Sequence, residues 1–167
     1  MDTKYYKNYM GFDLSDDEMR VVGWPKMELG LHITLKTIQS GVVLGTLTPL
    51  ILYGAIRRSA FPVLQRAVKV GGVRGALIGS VIGPTLAYTF MQKKELSSDD
   101  CFDRCYRLRY NRNQVRVDRA FDLGLLTGAL IFYSSGQAVF GACLFSTSFI
   151  IGTGILNTVG FFGKKEK

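Results

Sequence analysis

The sequence is poor in the residues that build most catalytic sites and disulfide-stabilised scaffolds. Its 167 residues include one histidine, three cysteines and four prolines. The single histidine, His32, cannot form a histidine pair around a metal, and no carboxylate beside it suggests a catalytic relay. Three cysteines are too few for a disulfide-stabilised secreted scaffold. We therefore expect no enzymatic activity, no metal site and no catalytic cofactor.

Charge is also scarce, and it is distributed unevenly. Charged residues make up 20% of the chain and hydrophobic residues 47%, a balance that excludes a disordered protein. Three segments carry no charged residue at all, namely residues 37–56, 75–92 and 123–163. A helix that crosses the ~30 Å hydrocarbon core of a bilayer needs about 20 apolar residues. The third segment is long enough for two crossings, with the polar cluster at 134–137 as the turn between them.

These segments predict an all-α integral membrane protein, a four-transmembrane-helix bundle. The expected organisation is a soluble amino-terminal arm at 1–29, a membrane domain at 30–163 with spans near 31–56, 70–91, 118–133 and 138–157, an Arg-rich loop at 92–117, and a basic tail at 164–167. A soluble all-helical core is the alternative. It is disfavoured because soluble helices seldom run eighteen residues without a charge on any face.

Glycine recurs at every fourth residue of the second span, at Gly71, Gly75, Gly79 and Gly83. Such spacing leaves one helix face as bare backbone, and close backbone approach is what holds helices together in lipid. Small residues have the same spacing in the other three spans, at Gly41, Gly45, Gly124, Gly128, Ser148 and Gly152. We therefore predict helix packing along glycine ladders. A phosphate-binding loop is not favoured, because no strand precedes the glycines.

Lys36 and Asp122 are charged residues inside predicted spans on the same side of the membrane, whereas Arg74 lies just inside the second span at the opposite side. An unpaired charge at that depth costs a few kcal/mol, which favours an ion pair between Lys36 and either Asp122 or Asp118. The alternative is that each side chain extends alone to the membrane surface.

The predicted loop contains two cysteines, Cys101 and Cys105, in an i to i+4 spacing, whereas Cys143 lies in the fourth span. Two cysteines without further ligands are weak evidence for zinc. In an oxidising compartment they could form a disulfide with each other or with a partner. Free thiols packed in a helix are the alternative.

The net charge of +8 is concentrated on two surfaces next to the spans. The first connection carries Arg57, Arg58, Arg66 and Lys69, and the predicted loop carries Arg104, Arg107, Arg112 and Arg116. Ser97 to Asp100 form a helix start, after which the arginines follow a helical spacing. A basic stretch that runs into a membrane span favours anionic lipid or an acidic protein surface over nucleic acid. No small-molecule substrate is expected.

The basic first connection also predicts the orientation, because such loops are retained on the negative side of the membrane. Four crossings then place the amino terminus, the loop 92–117 and the tail together on the other side. Residues 1–29 contain six acids and four bases, so they resemble neither a secretory signal nor a mitochondrial presequence. Any targeting information is expected within the mature chain.

These features together resemble the Tim family of mitochondrial inner-membrane proteins, which includes import translocase subunits and an accessory subunit of respiratory complex I. The resemblance covers roughly residues 30–160. It rests on Lys69, Val70 and Gly71, on Gly79, Gly83 and Thr85, on Asp99 and Asp100, and on Gly124 with Gly128.

The resemblance implies a multi-pass protein of the mitochondrial inner membrane, with both termini in the intermembrane space and cardiolipin nearby. The expected function is that of a non-catalytic accessory subunit in the membrane arm of NADH:ubiquinone oxidoreductase, in contact with other membrane subunits. A subunit of an inner-membrane import translocase is the alternative.

Overall fold

The computed structural model describes residues 3–12 and 14–163, and within these residues it is built from helices without strands. The seven helices are α1 (Thr3–Met10), α2 (Asp16–Met19), α3 (Pro25–Pro49, continued by a π-helical segment Leu50–Ile56), α4 (Phe61–Lys93), α5 (Ser98–Tyr110), α6 (Arg112–Ile131) and α7 (Ala138–Thr158). The predicted tail at 164–167 lies outside the described residues.

Helix α3 begins six residues earlier than the predicted span. Pro25 occupies its first turn, where the missing N–H is not needed and the fixed φ favours helix. Pro49 lies inside the helix, and the backbone continues beyond it as the π-helical segment. The run ends at Arg57, and the next residue, Arg58, has a left-handed φ of 48°. This short reversal joins α3 to α4.

Three helical stretches are long and apolar enough to cross a membrane, which marks the chain as a membrane protein. They are Pro25–Ile56, Phe61–Lys93 and Ala138–Thr158. The third predicted span does not qualify in the structure. Helix α6 begins at Arg112, because the Asn111 side chain caps it by accepting from Gln114 N at 3.1 Å. Its charged residues therefore lie between Arg112 and Asp122, and only residues 123–131 are free of charge.

The predicted loop at 92–117 is mostly helical. Ser97 caps α5 by accepting from the Asp100 backbone N–H, and the Asp100 carboxylate accepts from Ser97 N at 3.0 Å. This reciprocal capping box satisfies two N–H groups that a helix start leaves free, and it lowers the pKa of the Asp100 carboxyl. Residues 92–117 thus form a folded part of the protein with a buried face.

The long helices form two antiparallel hairpins, α3 with α4 and α6 with α7. Helix α7 joins them by packing against both α3 and α4, where Val68, Phe140 and Cys143 form a buried cluster. Helix α1 lies on α6, and α5 lies across the start of α3. The end of α7 returns to the start of α6, where Asn157 Nδ2 donates to Asn113 O at 3.1 Å. The arm, α5 and the end of α7 therefore share one end of the protein.

Candidate functional site

The glycines of α3 and α4 lie where the two backbones touch. A Cβ atom added to Gly41 would overlap the carbonyl oxygen of Gly75, and one added to Gly45 would overlap that of Gly71. Further along α4, a Cβ on Gly79 would lie 2.5 Å from the Thr37 carbonyl oxygen. Thr37 Oγ1 also donates to the Gly79 carbonyl oxygen at 2.8 Å. The contact depends on the absence of side chains.

Gly83 belongs to the same face of α4, since its Cβ would lie 2.7 Å from Thr34 Cα.

Helices α6 and α7 meet in the same way. A Cβ on Gly124 would lie 2.6 Å from Ser146 Cα, and one on Gly128 would overlap the carbonyl oxygen of Gly141. The sequence analysis missed Gly141, because it has no small residue four positions away in the expected pattern.

The small-residue pair predicted in α7 is not part of this packing. Ser148 is exposed, and a Cβ added to Gly152 would meet nothing within 4 Å among the described residues. Helix α7 presents Gly141, Phe145 and Ser146 to α6 instead. Spacing alone does not say which of two small-residue faces meets the neighbouring helix.

Lys36 pairs with Asp118 rather than with Asp122. The Lys36 ammonium donates to Asp118 Oδ1 and, at 2.9 Å, to Gln39 Oε1. Gln39 Nε2 completes the triangle by donating to Asp118 Oδ1 at 2.8 Å. Asp118 and Gln39 are buried, so this cluster joins α3 to the first half of α6. Gln39 was missed because a single glutamine in an apolar run carries no pattern.

Asp122 has a different partner on the amino-terminal arm. The Tyr9 hydroxyl donates to Asp122 Oδ2, and α1 thereby lies against α6. Burial, followed by the hydrogen bond to Asp122, raises the pKa of Tyr9, so its hydroxyl stays protonated as a donor. The hydrogen bond between Tyr9 and Asp122 thus holds the amino-terminal arm on α6.

The most buried charged contact is one that the sequence analysis did not single out. Arg109 of α5 forms two parallel hydrogen bonds with the Glu28 carboxylate, Nε to Oε1 at 2.8 Å and Nη2 to Oε2 at 2.7 Å. Arg109 is 2% exposed and Glu28 is 7% exposed. The Nη1 atom of Arg109 also donates to the carbonyl oxygens of Met19 and Val21, at 3.3 and 3.0 Å. One guanidinium therefore connects α2, α3 and α5.

Helix α1 is attached to the same point. Asn8, which is 3% exposed, donates from Nδ2 to the Arg109 carbonyl oxygen at 3.1 Å. Arg112 donates in turn to Asn8 Oδ1 at 3.0 Å. The arm predicted as a soluble extension is therefore docked on α5 and α6 over its described residues.

The disulfide considered between Cys101 and Cys105 is not formed, and both residues are free thiols. They are fully buried in α5 against Leu29, in an apolar cluster. The Cys105 thiol donates to the Pro25 carbonyl oxygen at 3.3 Å. Burial raises the pKa of Cys105 to about 12 and also raises the pKa of Cys101. These are packing residues that hold α5 on the start of α3.

The other predicted basic residues lie at the two ends of the helices. Arg57 packs over the Tyr53 ring, while Arg58 and Arg66 are exposed and Lys69 is half-buried. At the opposite end, Arg104 lies over the Phe90 ring at 5.4 Å. Arg107 forms an exposed ion pair with Asp103, with 2.6 Å between Nη2 and Oδ2. Arg116 lies over the Phe162 ring at 4.5 Å.

Arg74 stands apart from these groups. It is exposed in the middle of α4, one residue before Gly75, on a helix that is long and apolar enough to span a membrane. In the part of the chain that the structure describes, the acidic side chains in ion pairs are Asp118, Asp103 and Glu28, and none of them pairs with Arg74. The flanking side chains Val73, Leu77 and Ile78 are also exposed.

Two adjoining depressions follow the outer face of α3 and α4. The first, here called the α5 pocket, has a volume of about 740 Å³ and lies between α5 and the apolar residues Leu29, Ile33, Leu86 and Phe90. The second, here called the glycine groove, has a volume of about 910 Å³ and runs along α3 and α4 past Gly41 and Gly75. His32 and Ile33 line both. The two depressions therefore meet at these residues.

Residues 5–150 match the family described as proteins of unknown function, DUF1757. The chain belongs to this family. The match runs from α1 into α7, so the DUF1757 region contains the Arg109–Glu28 contact, the Lys36 cluster, both hairpins and the α5 pocket. No curated protein matches the chain in sequence.

Proposed function

We propose that this DUF1757 protein is a non-catalytic accessory subunit of a mitochondrial respiratory complex, in the membrane arm of NADH:ubiquinone oxidoreductase. Its role there is to join neighbouring membrane subunits and lipids. The proposal follows the resemblance to the Tim family, and one structural observation supports it above the others. Arg74 is an exposed charge without an acidic ion-pair partner in the described chain, about one turn inside the predicted second span.

An arginine inside a span is stabilised when an anionic group faces it. The surrounding face of α4 exposes Val73, Leu77 and Val81, which are 41%, 61% and 72% exposed. An apolar face with one basic residue fits a neighbouring membrane helix that carries an acidic side chain. This is the surface of a protein that is assembled into a larger complex.

The proposed membrane domain is a four-helix bundle in which α6 is the fourth, shorter crossing. The backbone contact between Gly128 and Gly141 supports this arrangement, because α6 follows α7 over its whole apolar half. The Lys36–Asp118 pair accounts for Asp118, and contacts with the docked arm account for Arg112, Arg119 and Asp122. These charges need not face lipid.

The same proposal includes anionic phospholipid such as cardiolipin as a bound component. Arg57, Arg58, Arg66 and Lys69 supply the basic surface for it at the connection between α3 and α4. This end is proposed to face the matrix. The arm, α5 and the end of α7 share the other end and are proposed to lie in the intermembrane space.

The decisive experiment is co-purification from mitochondria after mild detergent extraction. The proposal predicts that the protein migrates at high mass together with NADH dehydrogenase activity. Recovery with a precursor protein arrested during import would instead support the alternative, a subunit of an inner-membrane import translocase. Release of the protein by alkaline carbonate would contradict both.

A further inference from the structure

The α5 pocket has the amphiphilic character of a phospholipid site. Its charged wall is formed by α5, which contributes Asp100, Asp103, Arg104 and Arg107. Its apolar wall is formed by residues of α3 and α4 near the end of α4, among them Phe90. Charged and apolar walls meet where a membrane surface would meet its hydrocarbon core.

The apolar wall continues directly into the glycine groove. From Phe90 to Ile78, along the lining of both depressions, twelve residues of helix correspond to about 18 Å. One leaflet of a ~30 Å hydrocarbon core is about 15 Å thick, so this length fits one acyl chain that lies parallel to the helices. The floor is recessed because Gly75 and Gly79 have no side chain.

The charges on the α5 wall are balanced. Two arginines can bind a phosphate, and two carboxylates can bind an ammonium group. Arg107 is already paired with Asp103, so this wall has no excess of positive charge for a purely anionic head group. A phosphate linked to an ammonium group by a short chain complements both signs.

From this arrangement we infer that the α5 pocket binds a zwitterionic phospholipid with a primary ammonium head group, of the phosphatidylethanolamine class. Its phosphate lies at Arg104 and Arg107, its ammonium group at Asp100 and Asp103, and one acyl chain in the glycine groove. This site differs from the basic connection proposed for cardiolipin in both place and charge. It rests on the membrane role proposed above and is independent of which complex the protein joins.

The test measures lipid retention by the purified full-length protein, using native mass spectrometry after equilibration with equal amounts of phosphatidylethanolamine and phosphatidylglycerol. We expect phosphatidylethanolamine to be retained through the α5 pocket, whereas phosphatidylglycerol held at the basic connection should not depend on that pocket. The double variant Arg104→Ala/Arg107→Ala should lower its retention about tenfold or more, as expected for the loss of charge-assisted hydrogen bonds. The variant Asp103→Asn should shift the preference toward phosphatidylglycerol, because it removes an ammonium partner and leaves Arg107 unpaired.

Two further variants separate binding from folding. Arg116→Ala removes a nearby arginine outside the pocket and should leave retention unchanged. Ile82→Trp, on the wall of the glycine groove, should lower retention by blocking the acyl chain without altering any charge. Slow alkylation of the buried Cys101 and Cys105 reports that α5 is in place in each variant. Unchanged retention of phosphatidylethanolamine in the double arginine variant, or an equal loss of phosphatidylglycerol in that variant, would overturn the proposal. Because no complex is present, this result does not depend on the co-purification experiment.

Discussion

At the residue scale, the contact between Arg109 and Glu28 combines burial, two parallel hydrogen bonds and two additional carbonyl acceptors. Such a pair adds little stability relative to apolar residues of the same shape, yet the loss of one partner leaves a buried charge unpaired. Replacing both residues by apolar ones of the same shape should therefore cost little stability, whereas replacing only one of them should be strongly destabilising.

We predict that Glu28→Gln destabilises the folded protein by about 3–5 kcal/mol and releases the arm. Arg107→Ala, an exposed arginine on the same helix, is the matched control and should change stability by less than about 1 kcal/mol. Thermal unfolding in detergent measures the loss of stability, and limited proteolysis of residues 3–22 measures the release of the arm. Equal stability of the two variants would contradict the assigned role of Arg109.

Cys105 gives a prediction for pH dependence. Its pKa is raised from 9.0 to about 12, mainly by burial, so the folded protein retains the thiol proton where the unfolded chain loses it. The contribution of Cys105 to the free energy of unfolding is fully present below pH 9 and is lost as the pH rises toward 12. Alkylation of Cys105 at about pH 8 and about pH 10, followed by peptide mass spectrometry, should be slow unless denaturant is added. Rapid labelling of the native protein at the lower pH would show that the thiol is accessible.

The sequence could not separate Arg109 from its neighbours. Arg104, Arg107 and Arg112 follow similar helical steps, and all of these side chains look like members of one basic face. The distinction depends on Glu28, which lies 81 residues away in the sequence. A long-range partner leaves no local pattern, which is why a run of charges was interpreted as a binding surface.

At the element scale, the α3–α4 hairpin depends on backbone contact. Gly75→Ala should destabilise it by about 1–3 kcal/mol, because the added methyl group would overlap the Gly41 carbonyl and force the helices apart. Gly152→Ala is the matched control in α7, since nothing lies within 4 Å of its Cβ position among the described residues. Alanine there should be neutral or stabilising by up to about 1 kcal/mol. The two variants can be compared by thermal aggregation in mild detergent.

The link between the two hairpins can be tested by a double-mutant cycle at Lys36 and Asp118. Lys36→Met and Asp118→Asn should each destabilise the protein, and the double variant should cost less than the sum of the two. The same cycle between Lys36 and Asp122 should be additive, because Asp122 is bonded to Tyr9 instead. Thermal unfolding of the single and double variants measures both coupling energies. A larger coupling with Asp122 would contradict the arrangement of α3 and α6.

The apolar helices could be predicted because soluble helices rarely run for the thickness of a bilayer without a charged residue. The start of α5 was also visible, since Ser97 and Asp100 form a capping box. The predicted third span starts at Asp118, whereas α6 starts at Arg112. The charged residues of α6 contact the amino-terminal arm and Lys36 of α3. Hydropathy along the sequence does not detect such long-range contacts.

At the scale of the whole molecule, the proposed contact at Arg74 predicts that assembly depends on a single charge. Arg74→Glu should lower the amount of protein recovered at high mass by about tenfold or more, because it places two acids in contact at the proposed interface. Lys94→Glu, an exposed position at the end of α4 outside the apolar face, is the control and should assemble normally. Blue native electrophoresis of mitochondria that express each variant measures this ratio. Normal assembly of Arg74→Glu would remove the proposed contact.

The Arg109 contact also constrains the order in which the protein is made. Glu28 is synthesised 81 residues before its guanidinium partner, and α3 and α4 lie between them in the chain. The amino-terminal segment can therefore dock on Arg109 only after the α3–α4 hairpin has returned the chain to the end at which Glu28 lies. The contact between Glu28 and Arg109 thus closes late, and a variant that opens the hairpin would also leave the arm undocked.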